Sequence, residues 1–140
     1  MADRFYCPDP PSGGRLVLEG EDAHHALRVR RVKPGEMVSV FDGQGRGWRA
    51  EVETIGKDRL ELAVREDLPD RVSPIALTVA VAVPKGERFD WLIEKATELG
   101  VSRLVPLVSE RSTVDPRASK LDRLRRLVIE ASKQCGRNPP

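Results

Sequence analysis

At 140 residues the chain is long enough for one ordinary domain or two small ones. Its 33% charged and 39% hydrophobic residues describe a globular protein, not a disordered tail. No apolar run approaches the roughly 20 residues that cross a bilayer, so no membrane association is expected. The start, Met1-Ala2-Asp3-Arg4, lacks the basic and then apolar stretches of a secretory signal, so a cytoplasmic location is expected. Cys7 and Cys135 stand far apart, with neither a disulfide framework nor a metal-ligand spacing, and are read as reduced thiols.

The first half reads as short strands joined by turns. Arg15 to Leu18 is a strand closed by Gly20, and Glu21 to Val32 has helical character, with Ala23, Ala26 and Leu27 apolar and Arg30/Arg31 on a basic side. Lys33-Pro34-Gly35-Glu36 is a turn, because Pro presets φ and Gly accepts positive φ. Met37 to Phe41 alternates as a half-buried strand does. The glycine-rich run Gly43 to Gly47 makes a hairpin loop, and Trp48–Ile55 and Arg59–Val64 are two further strands around Gly56-Lys57-Asp58. Short strands at this spacing with one helical turn predict a small β-barrel over residues 1–72.

Asp67 to Pro74 is a polar, proline-containing stretch and the expected boundary of a second domain over residues 73–140. Ile75 to Val83 is an almost unbroken apolar run, expected as a parallel strand buried on both faces. Phe89, Leu92, Ile93, Ala96 and Leu99 recur at helical spacing and Gly100 supplies the stop. Arg103 to Val108 is the next strand, and Leu121, Leu124, Leu127, Val128, Ala131 and Cys135 mark one face of a second helix. Strand, helix, strand, helix is the order of an α/β domain with a parallel sheet. Two strands cannot complete such a sheet, so this domain is expected to be unfinished at Asn138-Pro139-Pro140.

Charge is unevenly distributed. Residues 1–73 carry 12 Lys/Arg against 14 Asp/Glu, and residues 74–140 carry 12 against 8. The surplus gathers at Lys120, Arg123, Arg125, Arg126, Lys133 and Arg137, either as a footprint for phosphate or as a solvated helix face. No Walker loop, nucleophile elbow, His-Glu-x-x-His or Cys-x-x-Cys occurs. His24 and His25 have no third ligand at usable spacing, so no metal is expected and a surface or capping role is.

Longer strings carry more. His25 to Glu36 followed by Val40-Phe41-Asp42-Gly43, then Lys85-Gly86-Glu87-Arg88, Glu94 to Val101, Pro106 to Ser112 and Glu130 to Asn138 stand in order across nearly the whole chain. Together they resemble the N-terminal part of the RsmE family of 16S ribosomal RNA (uracil-N3) methyltransferases. The resemblance implies a PUA-like RNA-binding β-barrel followed by the beginning of an α/β SPOUT methyltransferase domain. It also implies S-adenosyl-L-methionine as methyl donor, 16S ribosomal RNA of the small ribosomal subunit as partner, and a homodimer. The family's trefoil-knot segment, where the donor sits, has no counterpart here. No cofactor-binding residue is therefore expected in these 140 residues, and the chain alone is expected to be inactive. Arg137-Asn138 runs straight into Pro139, where the family usually has a residue or two more.

Uracil N3 carries a proton and becomes nucleophilic only on losing it. The enzyme must therefore align N3 with the methyl group, help deprotonation and stabilise the anion. Lys85 and Arg88 follow the first buried strand at its carboxyl end, where open α/β sheets place their sites, and are expected to contact RNA. Arg111, after the next strand, is the foremost RNA or active-site candidate. Lys95 either meets RNA or pairs with Glu94 and Glu98 in its own helix. Gln134 and Arg137 end the last helix, where Arg137 either complements a helix dipole or meets phosphate. In the barrel, Arg28, Arg30 and Arg31 are candidate phosphate contacts. Phe89, Trp91 and Leu92 are expected in core or dimer packing. No general base stands out. A free-standing RNA-binding module is the competing reading, disfavoured because an unfinished sheet leaves strand edges exposed.

Overall fold

The computed structural model describes residues 3–69, 74–114 and 118–138; of 118–120 it describes the backbone alone, so the Lys120 side chain lies outside it. Contacts divide the chain into two compact units, Met1–Asp70 and Arg71–Pro139. Residues 70–73 of the expected boundary stretch lie outside the described residues, as do Pro139 and Pro140. No helix among the described residues is long and apolar enough to cross a membrane.

The first unit holds β1 (Arg4–Tyr6), β2 (Arg15–Glu19), α1 (Gly20–His24), a π-helical turn (His25–Arg30), β3 (Met37–Phe41), β4 (Gly47–Ile55) and β5 (Arg59–Leu68). The strands form one sheet in the order β1-β3-β4-β5-β2, a PUA-like half-barrel whose edges are β1 and β2. Alternation places Leu16 and Leu18 of β2, Val38 and Val40 of β3, Ala50 and Val52 of β4, and Leu60 and Leu62 of β5 in one core. Ala23 and Ala26 join that core from the helical segment. Burying each of these leucines contributes roughly 1.5–3 kcal/mol.

Three details depart from the sequence expectation. β1 was not foreseen: it pairs parallel with β3, Phe5 opposite Val40, a contact that no local pattern announces. β5 runs four residues past Val64, because the long β4 strand keeps pairing with it through Arg49–Glu66 and Trp48–Asp67 after the apolar alternation has ended. The helix expected over 21–32 tightens into α1 and then widens into the π-helical turn.

The second unit holds β6 (Thr78–Ala82), α2 (Arg88–Leu99), β7 (Arg103–Leu107) and α3 (Ala118–Cys135). β6 and β7 pair in parallel, Thr78 opposite Arg103 and Ala82 opposite Leu107. The expectation that β6 is buried on both faces is not met. Val79 and Val81 are half-buried, while Thr78, Ala80 and Ala82 are exposed, because among the described residues only one face of this two-stranded sheet is covered. α2 buries Phe89 and Ile93, leaves Leu92 half-buried, and exposes Trp91 and Leu99. It stops at Gly100, whose φ of +79° lets its N–H reach the Thr97 carbonyl and Val101 reach that of Ala96.

Candidate RNA-binding and catalytic site

In the first unit the basic residues sit where the helix ends. Arg31 adopts a left-handed conformation, φ +54°, the only positive φ at a non-glycine residue among those described. Its neighbour Val32 then donates to the Ala26 carbonyl at 3.1 Å, closing the wide turn. π-Helical turns are rare and occur often at functional sites. Arg30 is held by Asp3, just before β1. Arg28 and Arg31 are exposed and have no ion-pair partner among the described residues, so their charge faces solvent. His24 and His25 are exposed too, His25 resting edge-on to Phe5.

The glycine-rich loop between β3 and β4 has its own organiser. Asp42 is almost fully buried, and its Oδ1 accepts the N–H groups of Gln44 (2.8 Å) and Arg46 (3.1 Å). Its Oδ2 accepts Arg46 Nε at 2.7 Å. Tyr6 packs where a side chain at Gly43 would stand, at 3.1 Å. This loop is a satisfied turn between two strands.

In the second unit, parallel pairing of β6 and β7 places the loops after both strands at one edge. Lys85 and Arg88 follow β6 and Arg111 follows β7, so three of the sequence candidates meet at this carboxyl edge, all exposed. A pocket of about 400 Å³ opens at Lys85, lined by neither Arg88 nor Arg111, with Glu87, Asp90 and Arg123 also in its polar lining and Val83, Phe89 and Leu124 among its apolar lining. That volume is within the range of small-molecule sites. Asp90 and Arg123 form an ion pair that joins the start of α2 to the start of α3.

The remaining candidates lie elsewhere. Lys95 donates to Glu94 at 2.9 Å and to both oxygens of Glu98 at 3.0 Å. The hydrogen bonds it donates to Glu94, then to Glu98, raise its pKa above the usual lysine value, so within α2 this cation is already paired. Arg137 donates from Nε to the Glu98 carbonyl at the far end of α2, toward the amino edge of the sheet, away from Lys85 and Arg111. Gln134 is exposed on the last turn of α3. Asp90, Arg123 as its partner and Asp42 were not singled out in the sequence. A lone acidic residue in a first helical turn reads only as a dipole partner, and the pairing of Asp90 with a residue 33 positions away is visible only in three dimensions.

A half-barrel sheet ahead of a parallel α/β unit with a basic carboxyl edge is the arrangement of an RNA methyltransferase preceded by a PUA domain. Comparison with known families agrees: an RNA methyltransferase PUA domain matches residues 18–65 and an RNA methyltransferase domain matches residues 71–139. The chain belongs to the ribosomal RNA small subunit methyltransferase E (RsmE) family and corresponds to the N-terminal portion of its members. It is 35% identical to ribosomal RNA small subunit methyltransferase E of Synechocystis over 127 residues, 89% of this chain and 42% of that protein. It is 32% identical to the Bacillus subtilis protein of that name, over 86% of this chain and 49% of the relative. The structure of the Neisseria gonorrhoeae protein of the same name, bound to S-adenosyl methionine, superposes with a TM-score of 0.85. The two are 34% identical, over 100% of this chain and 61% of the other. The chain thus spans about half the length of the curated relatives it matches.

Proposed function

We propose that this chain is the RNA-holding portion of an enzyme that methylates N3 of a specific uracil in 16S ribosomal RNA of the small ribosomal subunit, using S-adenosyl-L-methionine and acting as a homodimer. The observation that carries the reading is the order of the two matched domains along one chain, with Lys85, Arg88 and Arg111 gathered at the carboxyl edge of the second. In the first domain, Arg28, Arg30 and Arg31 would contact phosphate, as would Gln134 and Arg137 in the second. Lys95 would join them only by giving up its carboxylate partners.

The donor would supply an electrophilic methyl group on a positively charged sulfonium. Lys85 and Arg123 in the described pocket are balanced by Glu87 and Asp90, and the two cations would face the carbonyl oxygens of a uracil becoming anionic. We place the donor site in the part of the relatives that this chain does not span. Arg111 is the foremost candidate for a cation at the reacting base, where preorganised positive charge stabilises the developing anion. The target must be unpaired or flipped for N3 to be reached.

The test is methyl transfer by the full-length protein from labelled S-adenosyl-L-methionine to small subunits and to 16S RNA, with the product nucleoside identified by mass spectrometry. N3-methyluridine is the expected product. Methylation of another base, or none, overturns the reading.

A further inference from the structure

Asp90 sits in the first turn of α2 and lines the pocket at the carboxyl edge of β6 and β7. Its Oδ2 is engaged by Arg123 of α3. Its Oδ1 is buried and has no hydrogen-bond partner among the described residues. An ionised carboxylate oxygen only accepts hydrogen bonds, and a buried one without a donor is uncommon enough to need an explanation. A donor brought by a ligand is one.

The pocket narrows the choice of donor. Val83, Phe89 and Leu124 give it apolar walls suited to a flat ring, Arg123 sets a cation against the carboxylate, and Lys85 and Glu87 line the same pocket. The ring that matches is one whose N–H lies between two carbonyl oxygens: the N–H faces Asp90 and the oxygens face the cations. Uracil has this edge at N3, flanked by O2 and O4. Cytosine has a bare N3 that would meet the carboxylate as acceptor against acceptor.

Building on the proposed function, we propose that Asp90 is the residue that recognises and deprotonates uracil N3. The N3–H bond breaks, its electron pair stays on the ring spread over O2 and O4, and the proton moves to Asp90 Oδ1. The N3 lone pair is then free to bond the methyl carbon of the sulfonium donor, whose C–S bond breaks with its electrons left on sulfur. Asp90 afterwards returns its proton to water. The titratable groups lining the pocket around Asp90 are Arg123 from α3 and Lys85 and Glu87 from the β6–α2 loop. Arg123, paired with Oδ2, aims the carboxylate as a positioning residue.

The experiment is single-turnover methylation of 16S RNA by the full-length protein against pH, for wild type, Asp90→Asn, Asp90→Glu and Arg123→Met, with thermal melting of each. Asp90→Asn should slow transfer at neutral pH by about 100-fold, the contribution typical of a general base, with the RNA KM within about threefold of wild type. Its rate should climb with pH as uracil ionises unaided, while wild type levels off. Asp90→Glu should recover part of the rate. Arg123→Met should lower the rate while leaving it level with pH as in wild type, because the Asp90 carboxylate is still present. If Asp90 serves only to fasten α3, Asp90→Asn and Arg123→Met lose equal activity with unchanged pH profiles, and the inference falls. A wild-type protein that transfers no methyl to uracil defeats the proposed function and this inference with it. An active wild type matched by Asp90→Asn defeats this inference alone.

Discussion

Arg137 Nε donates to the carbonyl oxygen of Glu98 at 3.0 Å, fastening the segment after α3 to the last turn of α2. The Arg137 guanidinium occupies the space a side chain at Gly100 would need, 2.5 Å from where its Cβ would stand. At the other end of the same two helices Arg123 pairs with Asp90. α2 and α3 are therefore pinned at both ends and run in the same direction. Arg137 thus meets the carbonyl end of α2 rather than that of its own helix.

Gly100→Ala is expected to destabilise the protein by about 1 kcal/mol or more. Alanine is strained at φ +79° and displaces Arg137 from its carbonyl. Thermal melting measures it. Combining it with Arg137→Ala should cost less than the two separate losses together, because the substitutions share one contact; strict additivity would show that the contact carries no energy.

Asp42→Ala removes the acceptor for two backbone N–H groups and for Arg46 Nε while leaving their cavity in place. A loss of about 2–3 kcal/mol is expected in urea unfolding. A change below 0.5 kcal/mol would mean that the glycine-rich loop holds its shape without the carboxylate.

Arg28→Ala and Arg31→Ala are expected to weaken binding to 16S RNA and to flatten its salt dependence by about one unit of log K against log salt per residue, as loss of a phosphate contact does. Neither should lower stability. Arg31→Gly should raise it by up to about 1 kcal/mol by relieving the left-handed backbone at φ +54°. An unchanged salt slope in both alanine variants would remove the helix-end arginines from the RNA interface.

Cys7 is expected to resist alkylation far longer than Cys135. It is buried and its thiol contacts the Val17 carbonyl, and burial, the leading cause, pushes its pKa up. A thiol whose folded pKa lies above its unfolded one favours the folded state at low and neutral pH. That contribution is lost as pH rises through the unfolded value, here 9.0, toward the folded one. Stability should therefore fall on the alkaline side, and Cys7→Ala should reduce that fall. Mass spectrometry of iodoacetamide-treated protein and melts from pH 8 to 10 provide both readouts.

The 140-residue chain alone is expected to show no heat of binding when titrated with S-adenosyl-L-methionine, because it spans about half the length of its relatives and the donor site is proposed to lie in the remainder. Micromolar binding would move the donor site into these residues.

By itself the sequence determined what depends on short range. Alternation in β2, β3 and β4, the apolar stripe of α2 and its glycine stop are all properties of neighbouring residues, because side-chain periodicity and positive φ are local. Ordered strings such as Lys85 to Arg88 and Glu94 to Val101 likewise pointed to the family. Tertiary structure alone decided what depends on long range. It recruited Phe5 to pair with Val40, carried β5 on to Leu68, and left Ala80 and Ala82 of an apolar strand exposed. At the site it took Lys95 into ion pairs, sent Arg137 to the opposite end of α2 from Arg111, and joined Asp90 to Arg123. Such contacts are chosen by which surfaces the folded chain brings within a few ångströms, and that distance is not encoded in any single window of sequence.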